Sequence, residues 1–309
     1  MNKLKKVGLT ALATTLVASS AYAGELSVSG SAGITYSGIS SASDANPFSM
    51  GNSVKFNGGG DLDNGMSVAV YYELDDDIMD DYNLTLDLGG SNGTFTFSGD
   101  SMNAGGVDAV KDIVPAAYTP VYEETNSTDN GLATTSGRNQ TGMLGYANSV
   151  GPLAVSLGYN PKNSTAHADS ETSIGITYTT PVDGLTAVVG RMDDGDMAEN
   201  DTYGLKYTMG NVTAAYQITK VNYDATTTAD QDAQHYGISL AVNENLSVSA
   251  GRQVVEIDNA VDDEINTGIQ ASYTMGSVSI GGAFNQVDSA GGTAGSDVEA
   301  TLLNVSFAF

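Results

Sequence analysis

From Glu25 onward, apolar and polar residues alternate along the chain with a period of two. In "ELSVSGSAGITYSG", Leu26, Val28, Ala32, Ile34 and Tyr36 share one side, and Glu25, Ser27, Ser29, Ser31 and Thr35 the other. "MSVAVYYEL" sets Val68, Val70, Tyr72 and Leu74 against Ser67, Ala69, Tyr71 and Glu73. Successive side chains of a strand point to opposite faces, so this period predicts strands with one apolar and one polar face. Followed to "VEATLLNVSFAF", the pattern predicts sixteen strands, with "GMLGYA" the weakest. Helix-period apolar faces are nearly absent.

The polar faces are mostly Ser, Thr, Gly, Asn and Gln, with few of the Lys and Glu that a solvent-exposed sheet carries. Aromatic residues recur near strand ends, as at Tyr36, Tyr82, Tyr146, Tyr159, Tyr178, Tyr273 and Phe309. The connectors sort by length. Asp61–Gly65, Gly89–Gly93, Ala147–Pro152, Thr179–Gly184, Met209–Asn211, Asn243–Asn245 and Met275–Ser277 are short. Ser37–Gly51, Asp75–Asp81, Asp100–Arg138, Pro161–Glu171, Asp193–Asp201, Asn222–Gln234, Val255–Glu264 and Val287–Asp297 alternate with them and are long. A soluble sandwich has no reason to put its long loops at one end. A barrel in an outer membrane does, and it turns its apolar face outward with aromatic girdles at both interfaces. In hydrocarbon an open sheet edge leaves backbone groups unpaired, so the last strand must close on the first. The predicted fold is all-β: a sixteen-stranded transmembrane antiparallel barrel in one domain, residues 24–309.

Composition adds the compartment. "MNKLKKVGLTALATTLVASSAYA" has a basic start, an apolar middle and an A-x-A end, the pattern of a cleaved secretory signal over residues 1–23. There is no Cys, so no disulfide or thiolate site is available. Net charge is -26, and removing the signal with three of the eleven basic residues makes it more negative still. That field repels nucleic acid.

On these features the chain resembles the Gram-negative general-diffusion porins of the trimeric sixteen-stranded kind, over its whole mature length. The resemblance rests on "ELSVSGSAGITY", the order of strands and loops, one long third loop and the terminal "SFAF". It implies a water-filled outer-membrane channel for passive diffusion of small hydrophilic solutes and ions. It also implies a homotrimer, contact with lipid and lipopolysaccharide, and Phe307 and Phe309 as a signal read by the outer-membrane assembly machinery. No cofactor is required. The sequence departs from the family in having no Trp and few basic residues.

In that family the third loop folds into the lumen and narrows it. Carried over, the constriction draws on Asp100, Asp108, Lys111, Asp112, Glu123, Glu124 and Arg138. Val107, Val110 and Val114 lie at helical spacing and predict a short helix stopped by Pro115. On the pore wall, lumen-facing parity offers Lys55 and Lys206. Arg191 and Arg252 fall on outward parity near long-loop ends. They join the wall if a rim bulge turns them inward, and otherwise reach the headgroups. An acidic third loop in an acidic chain predicts a preference for cations. The alternative leaves most carboxylates on outer loops, screened by salt.

The run "ELDDDIMDD" reads in two ways. It is a solvated charge run, or Asp75, Asp76, Asp77, Asp80 and Asp81 hold Ca2+ or Mg2+ through oxygen ligands. Enzyme chemistry has little support. His167 and His235 are the only histidines, neither has a second metal ligand nearby, and no nucleophile motif is present. A substrate-selective porin, and a structural or adhesive barrel with a plugged lumen, are the competing readings.

Overall fold

Sixteen strands form where the period-two segments lie. The computed structural model describes residues 24–40, 46–75, 78–100, 105–122, 142–162, 169–195, 198–225 and 228–309. The first eight strands are β1 (Glu25–Ile39), β2 (Phe48–Asp61), β3 (Ser67–Asp75), β4 (Ile78–Asp87), β5 (Thr94–Asp100), β6 (Leu144–Val150), β7 (Leu153–Asn160) and β8 (Glu171–Thr179). The others are β9 (Leu185–Asp193), β10 (Ala198–Met209), β11 (Val212–Tyr223), β12 (Gln231–Ala241), β13 (Leu246–Ile257), β14 (Glu264–Met275), β15 (Val278–Asp288) and β16 (Val298–Ala308). Each pairs antiparallel with its neighbours, and β16 returns to β1 to close the barrel. Closure gives the first and last strands a partner on both sides, so no strand is left as a free edge.

Alternation decides which way each residue faces. On β10, Tyr203, Leu205 and Tyr207 are exposed on the outer face, while Thr202 and its neighbour Thr219 on β11 are buried on the inner one. The inner pairs bond to each other, as Thr202 Oγ1 does to Thr219 Oγ1 at 2.8 Å. Outer aromatics pack across strands, with Tyr72 stacked on Tyr82 and Phe95 tilted on Tyr146. Exposed apolar area on this scale is unfavourable in water and expected in lipid.

The connectors keep most of the expected asymmetry. Gly210 and Gly276 open two-residue hairpins at φ 61° and 62°, a conformation that costs residues with a Cβ and is free for glycine. Two loops are shorter than their sequences suggest. β3 and β4 run on until only residues 76–77 separate them, so Asp80 and Asp81 are strand residues and the second loop is not long. β9 and β10 likewise leave only residues 194–197 between them. Polar residues extend a strand past the membrane wherever a hairpin partner continues, and composition alone does not show where that pairing stops.

Between β5 and β6 the chain turns inward. Gly106–Val110 form one 3-10 turn, and Val114 lies beyond it, so the helix is shorter than the valine spacing predicts. The wall holds the segment in an extended path instead. Val107 and Val110 are 1% and 2% exposed and pack on Val188 and Met192 of β9, with Ile113 alongside. Burying each valine contributes roughly 1.5–3 kcal/mol.

Candidate functional site: the narrowed lumen

The described part of the third loop, residues 105–122, lies against the inner faces of β7 to β15. Glycines make room for it. A Cβ on Gly190 would stand 2.7 Å from Val110 Cγ2. On Gly204 it would stand 2.4 Å from Ile113 Cδ1, on Gly237 2.8 Å from Val114 Cγ1, and on Gly281 2.1 Å from the Tyr118 ring. These glycines share the inner parity of their strands, so a side chain is missing wherever the loop passes.

Inner-face polar side chains then bond the loop backbone. Gln217 Oε1 accepts from Ile113 N at 3.1 Å, and its amide Nε2 donates to the Lys111 carbonyl. Ser249 Oγ accepts from Ala117 N at 2.8 Å, and Asn285 Nδ2 donates to the Pro120 carbonyl at 3.2 Å. The loop is therefore fixed by contacts spread over half the barrel. None of these anchors stands out in the sequence. The available signal was the recurrence of Gly on the polar parity of successive strands.

The loop presents Asp108, Lys111 and Asp112 to the lumen. Lys111 Nζ forms an ion pair with Asp108. Asp112 accepts a long hydrogen bond from the Tyr122 hydroxyl, 3.5 Å. Solvent reaches the Asp112 side chain, yet the surrounding loop desolvates its carboxyl and raises it from its ordinary value. That desolvation outweighs the opposing pull of Lys111 and of the Tyr122 hydroxyl. Asp100 ends β5 in backbone register with Tyr82. Glu123, Glu124 and Arg138 lie outside the described residues, as does the signal segment 1–23.

Across the lumen stand β16 and β1 to β6. Their inner face is lined by hydroxyls and amides, with a groove of about 240 Å3 bordered by Ser31, Thr35, Ser53, Asp75, Asn304 and Ser306. A larger space of about 660 Å3 opens beside Ala109 and is lined by Asp87, Thr94, Asn148, Ser156 and Thr177. Lys55 faces inward and pairs with Glu73 at 3.3 Å. Lys206 shares the inner parity of Gly204 and has no ion-pair partner among the described residues.

Arg191 and Arg252 are not pore-wall residues. The strands that carry them run in unbroken register, and the bulges lie elsewhere, at Tyr72/Leu74 and Tyr82/Asn83. Without a local bulge their outward parity stands. Arg191 bonds Glu199 at 2.8 Å and Asp201 at 3.2 Å on the outer face that also carries Tyr203. Arg252 sits opposite Tyr236, on the outer face.

The described members of the acidic run lie on two strands. Asp75 borders the inner groove, Asp80 and Asp81 lie in β4, and Asp76 and Asp77 lie outside the described residues. Among the described residues no group of three or more His, Asp or Glu side chains is placed to hold a metal ion. His235 is 4% exposed behind the loop, edge-on to the Tyr122 ring, and no hydroxyl among the described residues bonds its Nε2. His167 lies outside the described residues.

Comparison with known proteins agrees with this architecture. A porin structure refined at 1.8 Å superposes with a TM-score of 0.72 at 20% identity, covering 92% of this chain and 100% of its own. The outer-membrane OmpT of Vibrio cholerae gives 0.71 at 12% identity, covering 94% and 99%. An anion-selective porin from Comamonas acidovorans gives 0.66 at 13% identity, covering 92% and 99%. At these identities the likeness is one of fold. A search of curated protein sequences finds no match. The sequence profile of the Gram-negative porins matches residues 8–307. Sixteen closed strands, an apolar outer face and a hydroxyl-lined lumen thus coincide with a profile that spans nearly the whole chain, which belongs to the Gram-negative porin family and forms a diffusion channel of the outer membrane.

Proposed function

We propose that the channel passes small hydrophilic solutes and ions passively and prefers cations. The charge balance of the described lumen carries this reading. Of its three lysines, Lys111 is paired with Asp108 and Lys55 with Glu73, which leaves Lys206 against Asp75, Asp87 and Asp112. Carboxylates lining a wet pore favour cations. The fold does not decide the sign, because the Comamonas acidovorans porin of the same architecture is anion-selective. A planar bilayer recording in a potassium chloride gradient tests the proposal. The reversal potential is expected on the potassium side, and a clear chloride preference overturns it.

Two assembly features belong to the same proposal. The channel works as a homotrimer, consistent with small outer-face residues such as Gly30 and Gly282 near the barrel closure. Phe307 and Phe309 serve as the signal for outer-membrane assembly. Conductance lost and gained in steps of three supports the trimer, and independent single steps oppose it.

A further inference from the structure

Lys55 is the only lysine or arginine on β16 and β1 to β6, the strands that the described part of the third loop does not touch. Its ammonium is wetted by the lumen, with the side chain 43% exposed, while that of Glu73 behind it is 11% exposed. Glu73 is held by more than this lysine. Ser53 Oγ donates to Oε1 at 2.5 Å, and the Tyr71 hydroxyl donates to Oε2. Both carboxylate oxygens are therefore engaged, and the negative charge is fixed 3.3 Å from the Lys55 nitrogen. A surface ion pair between two mobile side chains is worth little and comes apart readily. Here one partner is immobilised by two hydroxyls, so the pair persists with its cationic end the more wetted of the two.

We propose that Glu73 is a selectivity-determining residue of the channel. Clamped by Ser53 and Tyr71, it cancels the one lysine or arginine charge that the strands of this wall carry and denies small anions a binding station there. This rests on the channel reading above. It concerns which residue sets the charge that a passing ion meets, whatever the sign of the overall preference.

The test uses the full-length protein and its Glu73→Gln, Lys55→Gln and doubly substituted variants, recorded in planar bilayers under a potassium chloride gradient. Gln keeps the shape of Glu and can accept from Ser53 while donating to the Tyr71 oxygen. Glu73→Gln is expected to move the permeability ratio toward chloride by roughly threefold, the effect of one uncompensated charge a few ångströms from the ion path in water. Lys55→Gln is expected to move it toward potassium, and the double variant to return to the parent value. A conducting Glu73→Gln channel with the parent reversal potential overturns the proposal. If Glu73→Gln fails to assemble, Lys55→Gln decides alone, and an unmoved ratio overturns the proposal equally. A parent channel without cation preference in which Glu73→Gln still shifts toward chloride refutes only the preference. A silent parent protein removes the channel reading and this inference with it.

Discussion

Gly30 and Phe309 exchange both of their backbone hydrogen bonds, each N–H to the other's carbonyl at 2.9 Å. The Phe309 ring lies where a Gly30 side chain would stand, since a Cβ there would be 2.6 Å from Phe309 Cε2. Phe309 thereby continues the β1–β16 pairing one residue past the end of β16. Gly30→Val is expected to displace the ring and lower the yield of folded barrel, measured by the heat-sensitive mobility shift on gels. Phe309→Asp is expected to lower it further, because it also puts a charge on the outer face near the membrane interface. Insertion of Phe309→Asp at parental yield would count against both the closing role and the assembly signal.

The loop seat predicts an effect on pore size. Gly190→Val places a side chain against Val107 and Val110, and the loop must lift or the strand must shift. Overpacking of this kind costs typically 1–3 kcal/mol. The expected result is an altered and unstable single-channel conductance in a barrel that still folds. An unchanged current amplitude argues that the loop does not bound the pore.

Gln217 carries two bonds to the loop backbone from one side chain. Gln217→Ala leaves the Ile113 N–H and the Lys111 carbonyl without that partner, at a cost of about 1–3 kcal/mol for each group that stays buried. Protease digestion of folded protein should then cut within residues 105–122 faster than in the parent. Equal digestion rates indicate that the loop is held without this residue.

Asp112 gives the pH dependence a direction. Burial by the loop raises its carboxyl, so on acidification it takes up a proton before ordinary carboxylates do. The uncharged form removes one negative charge from the lumen. The potassium-to-chloride permeability ratio is expected to begin falling at a higher pH than unperturbed carboxylates alone would give, and Asp112→Asn is expected to erase that early step. Identical pH profiles for the two proteins contradict the assignment.

Arg191 serves as a control. It is exposed on the outer face between Glu199 and Asp201, and such a pair is worth at most about 1 kcal/mol. Arg191→Gln should leave the reversal potential unchanged, whereas Lys206→Gln, on the inner face, should shift it toward potassium.

Strand number, closure and facing could be read from the sequence because each rests on a local rule. Period two fixes the faces, and the absence of water in the membrane forces closure. The inward parity of Lys55 and Lys206 follows from the same rule. Arg191 and Arg252 were ambiguous because a bulge reverses parity, and whether one forms is decided by neighbouring strands rather than by the residue itself. The second loop reads as long because Asp80 and Asp81 have loop chemistry, whereas the β3–β4 ladder continues past them to Asp75 and Ile78. The pairing of Lys55 with Glu73 depends on register between β2 and β3, which sequence spacing does not give. Gln217, Ser249 and Asn285 were unreadable for a further reason. Their partners are backbone groups of a distant segment, and backbone groups have no sequence signature.

The glycine row beneath the third loop also bears on electrical noise. Where the loop meets the wall it passes over glycines, and its backbone is tied to side chains of three different strands. The described part of the loop thus has few ways to shift against the wall without breaking these bonds. The open channel should carry a quiet, single-valued current, and bulky side chains restored along that row should make it flicker.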